Sequence, residues 1–356
     1  MDAAHLYAAE AQRVAQRIDA LRRDDTLVLP IFTDLHTRAL DAPVTQAFFA
    51  AMEALSKAVR ADAVIALGDN LAMLGREEHA SNETIHAIIR GLFERVSSLW
   101  PCPLLPVNGN HDGIGTDFFK ADFWQGISRG FDRGAAKYSG NSAYYTVDFD
   151  RARVRLIALS LPSGSDLTAE NPSPIWAFGD EQLKWLANTA LQTDHQALLL
   201  CHVPLYYAYT DEKDWTIGVW AGDHAAQSYV SALCGWIDDR DEAEALLSAF
   251  NAHTAFHSKK LDAFLPASPE SAGLIACLSG HMHDDSLFNA GETIGVETNR
   301  LPCAQIQSGA TNVSLNGPLR DHAALPISMD VAVLTPSERR LTMVRYGAGA
   351  DRTIRW

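Results

Sequence analysis

The first third of the chain alternates short apolar runs with longer amphipathic stretches. Val14, Ile18 and Leu21 recur at helical spacing within residues 1–23, which predicts an amphipathic helix ahead of the main body. "TLVLPIFTD" (26–34) then reads as a strand, "VTQAFFAAMEALSKAVRA" (44–61) as a helix and "AVIALGDN" (63–70) as a second strand. "NETIHAIIRGLFERVSSLW" (82–100) is another helix and leads to a third strand, "PLLPVNGNHD" (103–112). This alternation predicts βαβ units with parallel strands.

Further along the pattern changes. "GNSAYYTVDFDRARVRLIALSL" (140–161) predicts two antiparallel strands around a turn. "FGDEQLKWLANTAL" (178–191) is a helix starting at Gly179-Asp180, followed by a buried strand, "QALLLCHVP" (196–204). Residues 205–265 are polar and aromatic, an insertion expected to include helices and to lie over the site. "GLIACLSGHMH" (273–283) is another strand, and residues 329–356 alternate as a β-hairpin, with "YGAGADR" as a turn rather than a phosphate loop. No repeat or linker divides the chain. The expected organisation is an N-terminal helix, residues 1–25, leading into one domain spanning 26–356.

Five strand ends carry metal-capable groups: Asp34 with His36, Asp69, Asn110 with His111, His202, and His281 with His283. In open α/β sheets functional groups gather beyond the carboxyl ends of the strands. If His281 and His283 continue their strand, they point to the same side and converge. Imidazoles and carboxylates with one amide oxygen suit first-row transition metals better than calcium. Eight such residues exceed the ligand set of a single zinc and point to two ions sharing a carboxylate, with Asp69, central in the order, as the natural bridge.

Composition narrows the partners. With 47% hydrophobic residues among 356, the chain can build a large core without disulfides. A formal charge of −15 disfavours bulk nucleic acid, whose affinity rests on Lys and Arg neutralising phosphates. A small anionic substrate stays compatible if a local cation gathers it. The five scattered cysteines, without a CxxC, and the lack of a signal-peptide or membrane-spanning run, point to a cytoplasmic protein. Nothing in the sequence indicates a protein partner.

In order, "TDLH", "GDN", "GNHD", "CHVP" and "GHMH" resemble the five blocks of the calcineurin-like metallophosphoesterases, from about Thr33 to His283. The resemblance implies a four-layer α/β/β/α sandwich with two mixed sheets and the metals at one edge. It also implies that Asp34, His36 and His283 hold one metal, that Asn110, His202 and His281 hold the other, and that Asp69 bridges them. The ions would be Mn, Fe, Zn or Ni. His111 would sit beside them without ligating.

The reaction implied is hydrolysis of a small or medium-sized phosphoester, leaning to a diester. A bridging hydroxide would attack phosphorus, and His111 would act as general acid on the leaving oxygen. Many relatives carry an acidic residue three positions after the bridging Asp to orient the histidine. Here that position is Ala72, and Asp112 is the candidate substitute.

Duller readings exist for each residue. Asp34 and Asp69 could cap the following helices, and the Gly-Asp and Gly-Asn pairs could be ordinary turns. His202 could be a core histidine, and His253 and His257 are expected to be surface groups. Tyr206, Tyr207, Tyr209, Trp215 and Trp220 read as the core of the insertion rather than a stacking wall. Arg38 could reach a phosphate but reads as exposed. The rivals at the level of function are a phosphomonoesterase, a nuclease, and a silent interaction module on the same fold.

Overall fold

The computed structural model describes residues 3–72, 74, 80–112, 121–160, 177–206, 239–294, 297–315 and 324–356. The first part runs α1 (Ala3–Leu21), β1 (Leu27–Phe32), α2 (Pro43–Ala58), β2 (Val64–Ala66), α3 (Asn82–Leu99), β3 (Leu104–Pro106) and α4 (Ala121–Arg129). Then come β4 (Lys137–Tyr138), β5 (Tyr145–Phe149), β6 (Val154–Ala158), α5 (Asp180–Trp185), β7 (Gln196–Leu200) and α6 (Arg240–Asn251). A small hairpin of β8 (Phe256–Ser258) and β9 (Ala263–Leu265) precedes β10 (Gly273–Ser279) and β11 (Ser286–Phe288). A second hairpin, β12 (Thr293–Ile294) with β13 (Glu297–Thr298), leads to β14 (Ala304–Gln307). The chain finishes with β15 (Met329–Thr335), β16 (Arg340–Tyr346) and β17 (Arg352–Arg355).

Two mixed sheets organise the described residues. One has the order β17-β16-β15-β1-β2-β3, and the other β11-β14-β10-β7-β6-β5-β4. As the periodicity predicts, β1, β2 and β3 are parallel neighbours. In the second sheet β6, β7, β10 and β14 are parallel, while β5 and β6 form the expected antiparallel pair.

Three apolar clusters separate four layers. Leu29, Ile31, Ile65 and Leu105 of the first sheet meet Leu156, Leu198, Leu200 and Leu278 of the second. On the outer face of the first sheet, Phe32, Val64 and Val331 pack beneath α1, α2 and α3. On the outer face of the second, Leu199 and Cys277 pack beneath Leu183 of α5 and Leu246 and Phe250 of α6. Sandwiching explains the apolar runs: β1 and β15 are buried on both faces, so the alternation expected from residue 329 onward does not hold in the burial of β15.

Local signals set the helix limits. Ser81 accepts the backbone N–H of Thr84 at 3.2 Å, a cap worth about 1 kcal/mol, and α3 turns Ile85, Ile89, Leu92, Phe93 and Val96 inward. The helix expected over 178–191 divides: after Trp185, residues Leu186–Ala190 form a π-helical turn, closed by Leu191 N–H on Leu186 O. The C-terminal hairpin gains a third strand, because residues 347–351 turn the chain back and β17 pairs with β16. Both Gly347 and Gly349 have positive φ there.

Much of the 205–265 insertion, including Tyr207, Tyr209, Trp215 and Trp220, lies outside the described residues. Tyr206 is buried, with the Arg240 guanidinium 4.4 Å above its ring and Arg300 donating to its hydroxyl, which fits a core role.

Candidate metal centre

Asp34, Asp69 and Asn110 follow β1, β2 and β3, while His202 follows β7 and His281 and His283 follow β10. Parallel strands deliver all of these loops to one rim of the sandwich. His281 and His283 reach it differently from the strand-based expectation. β10 ends at Ser279, and both histidines lie in the following loop with left-handed φ of 75° and 59°. They consequently turn to different neighbours.

Three groupings place their nitrogen and carboxylate oxygen atoms within 4.8 Å of one another: Asp34, His36 and His283; His36, Asp69 and His111; Asp69, His202 and His281. His36 Nε2 is 3.0 Å from His283 Nε2, and His283 Nε2 is 3.3 Å from Asp34 Oδ1. Asp69 Oδ2 lies 3.2 Å from His202 Nε2 and 3.8 Å from both His36 Nε2 and His111 Nε2. Asn110 Oδ1 joins through His281 Nδ1 at 2.8 Å. All seven predicted ligands thus meet at one place, with Asp69 shared by the His111 and His202 groupings and His36 linking it to Asp34 and His283.

Each carboxylate is held by one oxygen and presents the other. Asp34 Oδ2 accepts from Thr33 Oγ1 at 2.8 Å and from the His281 backbone N–H at 2.9 Å. Asp69 Oδ1 accepts the His111 backbone N–H at 2.7 Å. Asp34 Oδ1, Asp69 Oδ2 and His202 Nε2 are buried without hydrogen-bond partners. His202 Nδ1 lies 2.7 Å from Leu67 O; a carbonyl can only accept, so the proton sits on Nδ1 and Nε2 is aimed at the carboxylates. Buried orphan acceptors facing one point are costly unless a cation satisfies them. The residues therefore fit a transition-metal pair.

The backbone is shaped for this convergence. Asp34, His36 and Asp69 also have left-handed φ, near 50°. Such conformations cost about 1–3 kcal/mol each and persist where surrounding structure fixes them. Glycines allow the close packing: a Cβ on Gly68 would lie 2.4 Å from the His202 ring, and one on Gly109 would lie 2.1 Å from Asp69 N.

Electrostatics follow from burial and charge. Burial favours the neutral His202 ring, but Asp69 and Asp34 outweigh it and raise the group to about 9. Burial likewise opposes ionisation of Asp34 and Asp69, yet His202 and the other histidines hold both carboxyls well below the usual range. For His111 burial dominates, and with the neighbouring histidines it pushes the ring down to about 4. Access comes from the histidine side. The side chains of His36, His111 and His283 are 11%, 21% and 27% exposed, whereas those of Asp34, Asp69 and His202 are fully enclosed.

The helix-cap reading fails, because Ala42 and Ser81 occupy the N-cap positions of α2 and α3. Asp112, the candidate partner of His111, is committed elsewhere. It accepts from Asn70 Nδ2, Gly109 N–H and Leu71 N–H, tying the loops after β2 and β3 together. His111 Nδ1 is buried without a hydrogen bond, and the position where the resemblance leads one to expect an acid is Ala72. Arg38 is exposed. His253 bonds Ser268 and His257 packs on Phe264, so the two do not share a metal point. Thr33 and the Leu67 carbonyl were not singled out from sequence. Only their contacts across the fold reveal a role.

The sequence profile described as calcineurin-like phosphoesterase matches residues 30–285. Among solved structures, a dimetal phosphatase from Danio rerio is similar at 13% identity and a TM-score of 0.53, covering 93% of this chain and 99% of that one. A structure titled PhoD is similar at 11% identity and a TM-score of 0.46, covering 93% of this chain and 68% of that one. No curated protein sequence matches the chain.

Proposed function

Because the chain belongs to the calcineurin-like phosphoesterase family and is a metal-dependent phosphoesterase, we propose that it hydrolyses a small or medium-sized phosphodiester. The observation that carries the reading is the pair of buried, unpartnered carboxylate oxygens, Asp34 Oδ1 and Asp69 Oδ2, among five histidines and Asn110.

Asp34, His36 and His283 would hold one ion, Asn110, His202 and His281 the other, and Asp69 both. When bound, the two ions supply positive charge against the phosphate oxygens and raise the acidity of water at the site. Asn110 contributes an uncharged oxygen, so the ligand set stays short of neutralising the ions. Asp34 and Asp69 are fixed by Thr33, His281 N–H and His111 N–H, so no reorganisation is needed as substrate charge enters.

His111 stands at the open side and protonates the leaving oxygen. In the metal-free protein burial and the neighbouring histidines push its ring down to about 4. The lean to a diester rests on the sequence reading of the 205–265 insertion, most of which lies outside the described residues, and a monoester is the alternative. A silent module is disfavoured because every ligand type is retained. Among the described residues no helix is long and apolar enough to cross a membrane, and the four described cysteines are buried and unpaired. The latter supports a cytoplasmic setting, and the net charge supports a small substrate over nucleic acid.

The test strips metals, adds back Mn, Zn or Fe, and compares bis-p-nitrophenyl phosphate with p-nitrophenyl phosphate. Faster cleavage of the diester supports the proposal, and faster cleavage of the monoester replaces it with the alternative. Cleavage of neither by metal-loaded protein points to the silent module.

A further inference from the structure

Beneath the metal centre lies a buried ion cluster that the chemistry above does not use. Asp330 of β15, fully enclosed, stands opposite Arg345 of β16 in the strand register, with Arg345 Nε 3.4 Å from Asp330 Oδ1. Arg352 of β17 donates to Asp330 Oδ2, which also accepts from Ser308 Oγ at 2.7 Å. Asp285 Oδ1 closes the ring: it accepts from Arg345 Nη2 and from the Gly309 N–H at 2.8 Å, and lies 3.3 Å from Arg352 Nη1. Arg345 Nη1 donates to Ser328 Oγ at 2.7 Å. Gly349 presses on the cluster, where a Cβ would fall 2.9 Å from Asp285 Oδ2.

The position of this cluster matters more than its charge balance. Asp285 ends the 280–285 loop that carries His281 and His283. The start of that loop is fixed by Gly280 N–H on His202 O and by His281 N–H on Asp34 Oδ2. His281 is thus held at the first anchor by its own N–H, while His283, with left-handed φ, sits between the two anchors in a shape that relaxes unless both ends are held. The opposite side of the cluster reaches the same grouping, because Asp330 is the register partner of Ile31 on β1, three residues before Asp34. Buried ion pairs often stabilise a fold no more than apolar groups of similar shape, so fixed geometry is the property by which this cluster would act.

We propose that Arg345 is a positioning residue for His283, acting through Asp285 to hold the loop where His283 meets Asp34 and His36. The inference rests on the reading that this rim binds two ions. It locates the effect at the Asp34–His36–His283 position and not at the one served by His202.

Titration of metal-stripped full-length protein with Mn²⁺, followed by calorimetry, tests this independently of ester hydrolysis. His283→Ala identifies which binding step belongs to the outer position. Arg345→Met is expected to weaken that same step by about 10–100-fold, the usual cost of losing a group that orients a ligand, and to leave the other step as in the wild type. Arg345→Lys, which keeps the charge without the planar fork, should fall between them. Should Arg345→Met fail to fold, Asp285→Asn carries the same expectation with little change of volume. Either variant leaving both steps unchanged, or weakening both equally, overturns the proposal. Wild-type protein that binds two Mn²⁺ ions but cleaves no phosphoester removes the proposed function alone; wild-type protein that binds none removes both.

Discussion

His202 Nε2 and Asp69 Oδ2 face each other 3.2 Å apart in the enclosed part of the rim, each without a hydrogen-bond partner. His202 comes from the second sheet and Asp69 from the first, so this contact spans the sandwich. It also sets what each atom can bind. With Nδ1 committed to Leu67 O and Oδ1 to His111 N–H, the two free atoms share one direction.

Asp69→Ala removes the oxygen common to the His36–His111 and the His202–His281 groupings. Turnover should fall to background, and bound metal, measured by elemental analysis, should drop below that of the wild type. Retention of the full metal content by this variant would remove Asp69 from its bridging place.

His111→Ala should leave metal content nearly intact, since the hydrogen bond it gives Asp69 comes from its backbone N–H. A replaced side chain keeps that donor. Rates should fall by about 10²–10⁴-fold for esters with poor leaving groups and much less for p-nitrophenolate esters. A series of leaving groups of graded pKa reads this directly. Loss of metal in the variant would mean that the ring is a ligand after all.

The metal-free protein should depend on pH in a defined direction. His202 is raised to about 9 from an ordinary value of 6.5, so its contribution is complete below about pH 6.5 and is lost as pH rises through about 9. Asp34 and Asp69 are depressed, so theirs is present above about pH 4 and is lost as pH falls. As far as these three groups decide it, metal-free protein should thus melt highest between about pH 4 and 6.5, and His111, pushed down to about 4, moves that maximum toward the upper end. Mn²⁺ affinity should instead rise with pH, because binding expels the His202 proton. Melting curves and titrations across this range check both; a metal-free Tm that climbs from about pH 6.5 to 9 contradicts the assignment.

Gly280→Ala places a methyl 2.1 Å from Thr33 Oγ1 and 2.6 Å from Asp34 Oδ2. The Thr33–Asp34 hydrogen bond must shift, so stability should fall by about 1–3 kcal/mol and metal affinity with it. Gly126→Ala, within α4 and with nothing inside 4 Å of the new Cβ, is the control and should be neutral or slightly stabilising. Equal behaviour of the two variants in denaturant titrations would contradict close packing at Gly280.

The sequence by itself determined the alternation of strands and helices around β1, β2 and β3, because burial on both faces of a parallel sheet writes itself as apolar runs bounded by polar ends. It also determined which residue types stand at those ends, since Asp34, Asp69, Asn110 and His202 directly follow strands whose limits composition reveals. Tertiary structure alone decided how the groups meet. The left-handed turns that send His281 and His283 to separate neighbours depend on backbone contacts with Asp34 and His202, hundreds or tens of residues away. Asp112 reads as a partner for the adjacent His111, yet its oxygens are taken by donors from the 70–71 loop and Gly109. The anchoring of Asp285 by Arg345 left no local trace at all. Periodicity records which face of an element is buried, but not which distant group waits there, and the partners of a buried charge are chosen by packing of the whole fold.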